Sequence, residues 1–309
     1  MGMFWRGEHT FAELHALGGD IGAYPPPKLT YYVDKEGGSD SHTGLGSWRN
    51  AKATYQAGVT AATCADNRYR DVDLIIAPAE YDEQVVVSGV AQGIYQGSST
   101  SYAYRAGRLR IIHMGVASIL KNSGVDTSHT LLIQRQKVEL YGGTFRNYTD
   151  SGDFSAVCWE RDTGIGDVIQ GAMYGCRVEG RASAQIGIDV DAAQYVWIVD
   201  CWISGFDTGI LIAGNGLGAC TDNLVKHCMF RGNTNDILVG ASSFTLLEDN
   251  IHYDPDTTLF VGDSDFSTRG GTIADLVVKG GMVHATDLAK MNATNIYHFG
   301  ITTQDAVEW

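Results

Sequence analysis

The sequence predicts an all-β fold, a single-stranded parallel β-helix, and three observations support that prediction. One apolar pattern recurs six times over the C-terminal two thirds of the 309 residues, at intervals of 21 to 33 residues. The chain contains 38 glycines and only 5 prolines, which indicates many tight turns between short strands. Helical periodicity is absent from the repeated region, so the pattern favours strands throughout it.

Each repeat is a six-residue segment whose first and last residues are apolar. The segments are residues 140–145, 173–178, 198–203, 225–230, 246–251 and 278–283. Their first residues are predicted to form an apolar file inside the coils: Leu140, Met173, Ile198, Val225, Leu246 and Val278. The spacing suits one coil of a β-helix per segment, with surplus residues looped out at the turns.

The fourth residue of each segment is an anchor that is predicted to point into the core. Three consecutive coils place Cys176, Cys201 and Cys228 there, where equivalent residues of stacked coils lie about 4.8 Å apart. Cysteine behaves as a small apolar residue in such a column. The six cysteines follow no CxxC spacing. We therefore expect free, buried thiols in a protein made in a reducing cytoplasm, rather than zinc ligands or disulfides.

The N-terminal part is predicted to close one end of the β-helix. Residues 50–65 favour a helix with Asn50 as its N-cap, and this helix would cover the edge of the first coil. Residues 1–27 end in three prolines and are predicted to form a separate arm. The arm carries apolar residues that would dock onto a larger particle: Phe4, Trp5, Phe11 and Leu14. The expected divisions are the arm 1–27, first strand and capping helix 28–72, β-helix 73–286, and C-terminal cap or tail 287–309.

Charge and hydropathy disfavour two classes of partner. With 36 acidic and 22 basic residues the formal net charge is −14, which argues against nucleic acid and anionic membranes because both need clustered lysine and arginine. Since no apolar stretch approaches 18 residues, membrane insertion is not expected. No signal peptide is visible at the N-terminus, and neither a cofactor nor a metal site is predicted.

The N-terminal motifs resemble those of a known superfamily. They comprise Tyr31-Tyr32-Val33-Asp34, Gly38-Ser39-Asp40-Ser41, Thr43-Gly44, Trp48, residues 53–59 and residues 73–81. They are similar to the first coil and cap of the pectate-lyase-like, right-handed parallel β-helix superfamily, and the later segments are similar to its coils. Because that superfamily includes polysaccharide lyases, glycoside hydrolases, epimerases and viral tailspikes, the resemblance implies a fold but no single function.

The chain departs from the catalytic patterns of this superfamily. Pro78-Ala79-Glu80 stands where the family usually has Pro-Gly before the tyrosine. The polygalacturonase motifs are absent apart from fragments at Asn235-Asp236 and Thr221-Asp222-Asn223. The sequence also offers no pair of Arg and Lys beside an acidic calcium-binding cluster, such as pectate lyases have. The resemblance therefore transfers no catalytic set.

The residues one step before the anchors suggest a candidate catalytic group. Asp200, His227 and Glu248 occupy this position in consecutive coils and are predicted to point outward. Two coils would separate the acids by about 9–10 Å, close to the ~6.5–9.5 Å carboxyl separation of inverting glycosidases. The alternative interpretation is a solvated polar face, on which acids at such spacings are ordinary.

Neighbouring outward positions suggest a glycan-binding surface. The candidate residues are Tyr141, Tyr174, Arg177, Trp202 and Asn250. Aromatic rings that stack on sugars, combined with polar side chains that hydrogen-bond to hydroxyls, are the mixture that such a surface needs.

Three functional hypotheses follow. The first is a structural virion protein, a phage tailspike, fibre or capsid-surface appendage, made in the host cytoplasm, in which the rod binds a host-surface polysaccharide. Its partners would be other virion proteins and itself, since the resemblance implies a homotrimer. The alternative is a polysaccharide lyase or glycoside hydrolase. The second alternative is a cellular, extracellular, non-enzymatic adhesion module that binds glycans.

Overall fold

The computed structural model of the chain describes residues 28–64, 67, 70–88, 107–123, 128–148, 154–160, 171–214, 220–240, 242–252, 273–274, 276–284 and 296–304. The predicted arm 1–27, with Phe4, Trp5, Phe11 and Leu14, lies outside these residues. The described residues form a parallel β-helix, which confirms the predicted fold class.

The strands are short and follow one another around the coils. In the first half of the chain they are β1 (Leu29–Val33), β2 (Val72–Ile76), β3 (Ala79–Asp82), β4 (Val85–Val87), β5 (Leu109–His113), β6 (Ser118–Asn122), β7 (Leu131–Ile133), β8 (Val138–Tyr141), β9 (Thr144–Asn147) and β10 (Ser155–Glu160). The next are β11 (Ala172–Tyr174), β12 (Arg177–Asp191), β13 (Trp197–Val199), β14 (Trp202–Ala213), β15 (Cys220–Thr221), β16 (Leu224–Lys226), β17 (Met229–Arg231) and β18 (Asn235–Val239). The last are β19 (Ser242–Ser243), β20 (Leu246–Glu248), β21 (Ile251–His252), β22 (Ile273–Ala274), β23 (Leu276–Lys279), β24 (Met282–His284), β25 (Ile296–Phe299) and β26 (Thr302–Gln304).

Most of the described strands lie on three faces of the rod, and β15, β19 and β22 form a separate three-stranded parallel sheet. Face 1 is a ten-stranded parallel sheet within the described residues, in the order β1, β2, β5, β8, β11, β13, β16, β20, β23 and β25. Face 2 runs from β3 through β6, β9, β12, β14, β17, β21 and β24 to β26. Face 3 contains β4, β7, β10, the second halves of β12 and β14, and β18. Faces 2 and 3 form one continuous sheet because β12 and β14 bend through both.

The apolar file inside face 1 is confirmed except at one coil. Leu140, Met173, Ile198 and Val225 are paired in sequence, and all four are buried. The next partner of Val225 is Leu247, which in turn pairs with Val278. The predicted residue Leu246 is therefore wrong by one position, and the anchor of its coil is Asn250 rather than Asp249. Two adjacent leucines made both registers compatible with the apolar pattern.

The cysteine column lies in the core as predicted. Cys176, Cys201 and Cys228 are each at most 2% exposed, and successive backbone hydrogen bonds join their coils. Burial raises the pKa of the Cys176 and Cys228 thiols well above the ordinary value. All six cysteines are free, and five are buried, whereas Cys64 is exposed, contrary to the expectation that every thiol is buried.

A short helix packs against the first coils, but it begins later than predicted. Helix α1 spans Tyr55–Ala62 and contacts β1, β2 and β4. Its N-cap is Thr54, while Asn50 belongs to a 3-10 turn, so the predicted N-cap is wrong. The carboxylate of Glu83 accepts the first free N–H groups, from Tyr55 at 2.9 Å and Gln56 at 3.0 Å. This cap comes from a residue 28 positions away, which local sequence does not reveal.

Three buried asparagines tie one coil to the coil before it. Asn223 accepts the N–H of Val196 at 2.9 Å, and Asn233 accepts that of Phe206 at 3.0 Å. Asn250 accepts the N–H of Cys228 at 2.9 Å and donates to the carbonyl of Val225 at 3.1 Å. Because Asn250 lies inside the rod, the prediction that it points outward to a glycan is wrong.

The coils extend past the boundary predicted at residue 286. Strand β25 pairs with β23 on face 1, and β26 pairs with β24 on face 2. Residues 296–304 therefore form a further coil rather than a separate cap or tail.

Candidate functional site

Face 1 has a column of outward residues in which side-chain size changes abruptly. Glu139, Ala172 and Trp197 are aligned in register on β8, β11 and β13. They alternate with the buried file, so their side chains point away from the core. A small residue lies between two large ones, and the outer surface of the sheet is indented at this coil.

The indentation is a groove of about 230 Å³, lined by Glu139, Gly171, Ala172, Tyr174, Tyr195 and Trp197. Trp197 is 48% exposed and Tyr195 is 44% exposed. Their rings therefore offer apolar surface to a ligand while remaining anchored to a rigid sheet.

Tyr195 is held in an unusual backbone conformation at the entrance to face 1. Its φ is 56°, in the left-handed region, where a bulky residue is strained by about 1–2 kcal/mol. Asp222 and Phe244 follow it in the next two coils with φ values of 56° and 54°. Such strain is found at functional sites when the surrounding structure enforces it.

The polar side of the groove is built around Glu139. Its Oε2 accepts the hydroxyl hydrogen of Tyr141 at 2.8 Å, and its Oε1 lies 3.4 Å from Nε of Arg108. The rings of Tyr141 and Tyr174 are stacked, with centroids 5.1 Å apart. Burial and the Glu139 carboxylate raise the pKa of Tyr141 to about 12, so its hydroxyl stays protonated and keeps donating. The groove wall is therefore preorganised.

The corner between faces 1 and 2 contains a second arrangement of polar groups. One residue per coil there has φ between 51° and 70°: Gly142, Gly175, Asp200, His227, Asp249, Gly280 and Gly300. His227 lies between two acids, with Nδ1 at 3.3 Å from Asp200 Oδ1 and Nε2 at 3.8 Å from Asp249 Oδ2. The structure thus brings Asp200 and His227 together and adds Asp249, which sequence reasoning did not choose.

Glu248 belongs to a different column from Asp200 and His227. It is paired across strands with Lys226 and Lys279, and both lysines bind its carboxylate, Lys226 at 2.9 Å. Hydrogen bonds from Lys279 and Lys226 lower the pKa of Glu248 to about 2. A general acid needs a raised pKa, so these contacts argue against that role for Glu248.

Of the five predicted glycan-binding residues, two line or support the groove, two lie on another face, and Asn250 is buried. Tyr174 lines it and Tyr141 supports it. Arg177 and Trp202 are on face 2, paired with each other across strands, and Arg177 forms an ion pair with Glu179. Whether any of them binds a glycan stays a prediction.

Sequence reasoning missed Glu139, Tyr195 and Trp197. The signal for two of them was present, since Glu139 and Trp197 stand four residues before the anchors Gly143 and Cys201. A strand alternates its faces, so this position shares the outward face with the position two before the anchor. Tyr195 gives no such signal because it lies in a turn.

The described residues contain neither a metal-binding cluster nor a membrane-spanning helix. Within the described ranges, no three side chains of the His, Cys, Asp or Glu types are arranged to hold a metal ion. None of the helices that the structure describes is long and apolar enough to span a membrane.

Comparison with known proteins supports the fold. No protein-family model matches the chain, and no curated protein matches it. The pectin methylesterase of rice weevil has a similar structure, with a TM-score of 0.55, 12% identity, and coverage of 82% of this chain and 87% of that one. The pectin methylesterase of Aspergillus niger gives a TM-score of 0.50 at 12% identity, covering 89% of this chain and 80% of that one. ORF18 of Geobacillus virus E2 gives 0.47 at 10% identity, covering 81% of this chain and 56% of that one.

At such identities the two esterase structures show the fold alone. The chain has the parallel β-helix fold of these esterases, which confirms the fold that the resemblance of its N-terminal motifs implied.

Proposed function

We propose that the chain is a structural virion protein whose β-helix rod binds a host-surface glycan through the groove on face 1. The observation that carries this proposal is the groove itself, in which Trp197 and Tyr195 stand exposed beside the carboxylate of Glu139. Aromatic faces pack against the C–H faces of sugars, while carboxylates accept hydrogen bonds from their hydroxyls.

The rod is suited to holding such a groove rigid. Trp197 is in a strand that is paired on both sides, with β11 and β16. Ile198, the residue next to it, is buried in the core. A binding site on paired strands loses little conformational entropy when a ligand is bound.

The free thiols support synthesis and assembly in a reducing compartment. Cys176, Cys201 and Cys228 are buried as free thiols, and each Sγ donates to a backbone carbonyl. Phage virion proteins are assembled in the cytoplasm of their host.

The proposal includes association of the chain as a homotrimer. Light scattering of the purified chain measures its oligomeric state.

Glycan binding is tested by calorimetric titration of the purified chain with a panel of bacterial surface polysaccharides. Trp197→Ala is expected to weaken binding at least about tenfold, in line with the loss of one stacking aromatic anchor. Trp202→Ala is the matched control, because Trp202 is on face 2. Equal affinity of wild type and Trp197→Ala would refute the proposal.

A second candidate function, polysaccharide lyase or glycoside hydrolase, is favoured by one observation. His227 is held between the carboxylates of Asp200 and Asp249, an arrangement in which an imidazole is oriented for proton transfer. Release of oligosaccharides from the bound polysaccharide tests it. Activity that disappears in His227→Gln and persists in Trp202→Ala supports an enzyme, and absence of release supports a binding protein.

The cellular adhesion module differs from the virion protein by context rather than by chemistry. Genes for capsid or tail proteins beside the gene of this chain support the virion role. Genes of a secretion system beside it support the adhesion module.

A further inference from the structure

We infer that the face 1 groove takes an uncharged sugar ring and excludes a uronic acid, with Glu139 as the residue that sets this selectivity. The inference rests on the proposed glycan binding and names the chemical class of its ligand. It follows from which charges line the groove and from how their hydrogen-bonding capacity is used.

Among the described lining residues, Glu139 is the one that carries a charge. The remaining surface comes from Gly171, Ala172 and three aromatic residues. A ligand in the groove therefore meets one carboxylate and otherwise apolar or phenolic surface, and a second carboxylate on the ligand would be placed beside the first. Like charges in such proximity disfavour binding.

The carboxylate of Glu139 retains acceptor capacity on its exposed side. A carboxylate has about four acceptor positions, and Tyr141 occupies one on Oε2 while Arg108 lies beside Oε1. Sugar hydroxyls can donate to the remaining positions. A uronate carboxylate has no hydrogen to donate there.

Arg108 does not convert the groove into an anion site. It approaches Glu139 through Nε at 3.4 Å, and it is not among the described lining residues. Arg110, the cross-strand neighbour of Glu139, is paired with Asp73, and it lies on the side of Glu139 away from Ala172. The two arginines reduce the net attraction for a cationic sugar, whereas an anionic ring in the groove meets the carboxylate of Glu139 before either arginine. An uncharged ring is therefore the ligand that fits.

The size of the groove fits one ring rather than a long segment of chain. Glu139 and Trp197 are two coils apart, which is about 9.6 Å at the usual spacing of parallel strands. Ala172 is the floor between them. One pyranose ring stacked on Trp197 would reach the carboxylate of Glu139 with its hydroxyls.

The test uses matched hexasaccharides that differ in charge: glucose and glucuronic acid, galactose and galacturonic acid, and mannose and mannuronic acid. Calorimetric titration is carried out on wild type, Glu139→Gln and Glu179→Gln. Glu179 is the matched control, because its side chain is 18% exposed, as that of Glu139 is, and it is paired with arginines on face 2.

For the pair that binds best, the uncharged hexamer is expected to bind at least about tenfold more tightly than its uronate partner. Glu139→Gln keeps an acceptor for Tyr141 but removes the charge. It should reduce the ratio of the two affinities, uncharged hexamer over uronate hexamer, to less than about threefold. Glu179→Gln should leave this affinity ratio unchanged. Thermal unfolding of each variant confirms that the fold is retained.

The two proposals fail in different ways. Suppose that a hexamer binds and that Trp197→Ala weakens its binding. If the uronate is then preferred, or if Glu139→Gln leaves the affinity ratio unchanged, the selectivity inference is overturned while glycan binding stands. If neither a hexamer nor a polysaccharide of the bacterial panel binds, or binding is insensitive to Trp197→Ala, both are overturned.

Discussion

Glu139 and Trp197 occupy the same outward column of face 1, two coils apart, and alanine is the residue between them. The groove depends on that alanine. Neighbouring coils place large side chains in this column, so one short side chain is enough to form a recess flanked by a carboxylate on one side and an indole on the other.

Filling the recess should abolish ligand binding without unfolding the rod. Ala172→Leu places a larger side chain on the outer surface, between Glu139 and Trp197, and should weaken glycan binding at least about tenfold because the ring loses its contact with the floor. Calorimetric titration measures the affinity. The control is Ser204→Leu, at an outward position of face 2, which should bind the glycan as tightly as wild type does. If Ala172→Leu also binds with the affinity of wild type, the ligand binds elsewhere.

The left-handed backbone conformation at the corner between faces 1 and 2 predicts which substitutions are tolerated there. Asp200 has φ 55°, and a β-branched residue there should lower the free energy of unfolding by about 1–2 kcal/mol, whereas glycine, which other coils use, should change it little. Urea unfolding of Asp200→Val and Asp200→Gly measures both. Asp207→Val, at an exposed strand position, is the control and should be nearly neutral. Equal stability of Asp200→Val and wild type would contradict the corner geometry.

Removal of a buried asparagine should destabilise the rod more than removal of an exposed one. Asn250→Ala leaves the N–H of Cys228 and the carbonyl of Val225 without their partner inside the core. Each of the two unsatisfied groups costs about 1–3 kcal/mol, so a loss of about 2–6 kcal/mol is expected by urea unfolding. Asn50→Ala removes an exposed hydrogen bond to the carbonyl of Leu45 and should cost under about 1 kcal/mol. Similar losses for the two variants would indicate that Asn250 is not in the core.

His113 should make stability fall as the pH drops below its ordinary pKa. Burial lowers the pKa of His113 to about 4, whereas in the unfolded chain it titrates near 6.5. The unfolded chain therefore takes up the proton first. The contribution of neutral His113 is complete above about pH 6.5, and about 3 kcal/mol of it is lost as the pH falls towards about 4.

The variant that checks this pH dependence is His113→Gln, whose amide can still bond to the Tyr55 hydroxyl that His113 contacts at 3.2 Å. Urea midpoints between about pH 7 and about pH 4.5 should depend less on pH in this variant than in wild type. Asn223→Ala, which removes a buried polar side chain that does not titrate, should keep the pH dependence of wild type. An unchanged slope in His113→Gln would mean that another group is responsible.

The fold could be predicted from the sequence because the apolar positions of each repeat are the core positions of each coil. Apolar residues such as Ile198 and Val225 must recur once per coil if the coils are to stack. The register of the strands was harder to predict, because Leu246 and Leu247 both fit the requirement for an apolar first residue in the segment. Only the pairing of Val225 with Leu247 decides between them. That shift of one residue exchanged Glu248 for Asp249 in the column of Asp200 and His227.

The groove was not predictable from any single segment. It arises from the contrast between Ala172 and its neighbours in adjacent coils, which becomes visible only after the register is known. Tyr195 and the cap of α1 by Glu83 depend on a turn conformation and on a contact distant in sequence. Neither property is encoded in local periodicity.

A crystal structure of the chain with its best-binding oligosaccharide examines the face 1 groove most directly. We expect one uncharged ring stacked on the indole of Trp197, with a hydroxyl within hydrogen-bonding distance of Glu139. A sugar bound over Trp202 on face 2, or along the corner at His227, with the groove left unoccupied, would contradict the account.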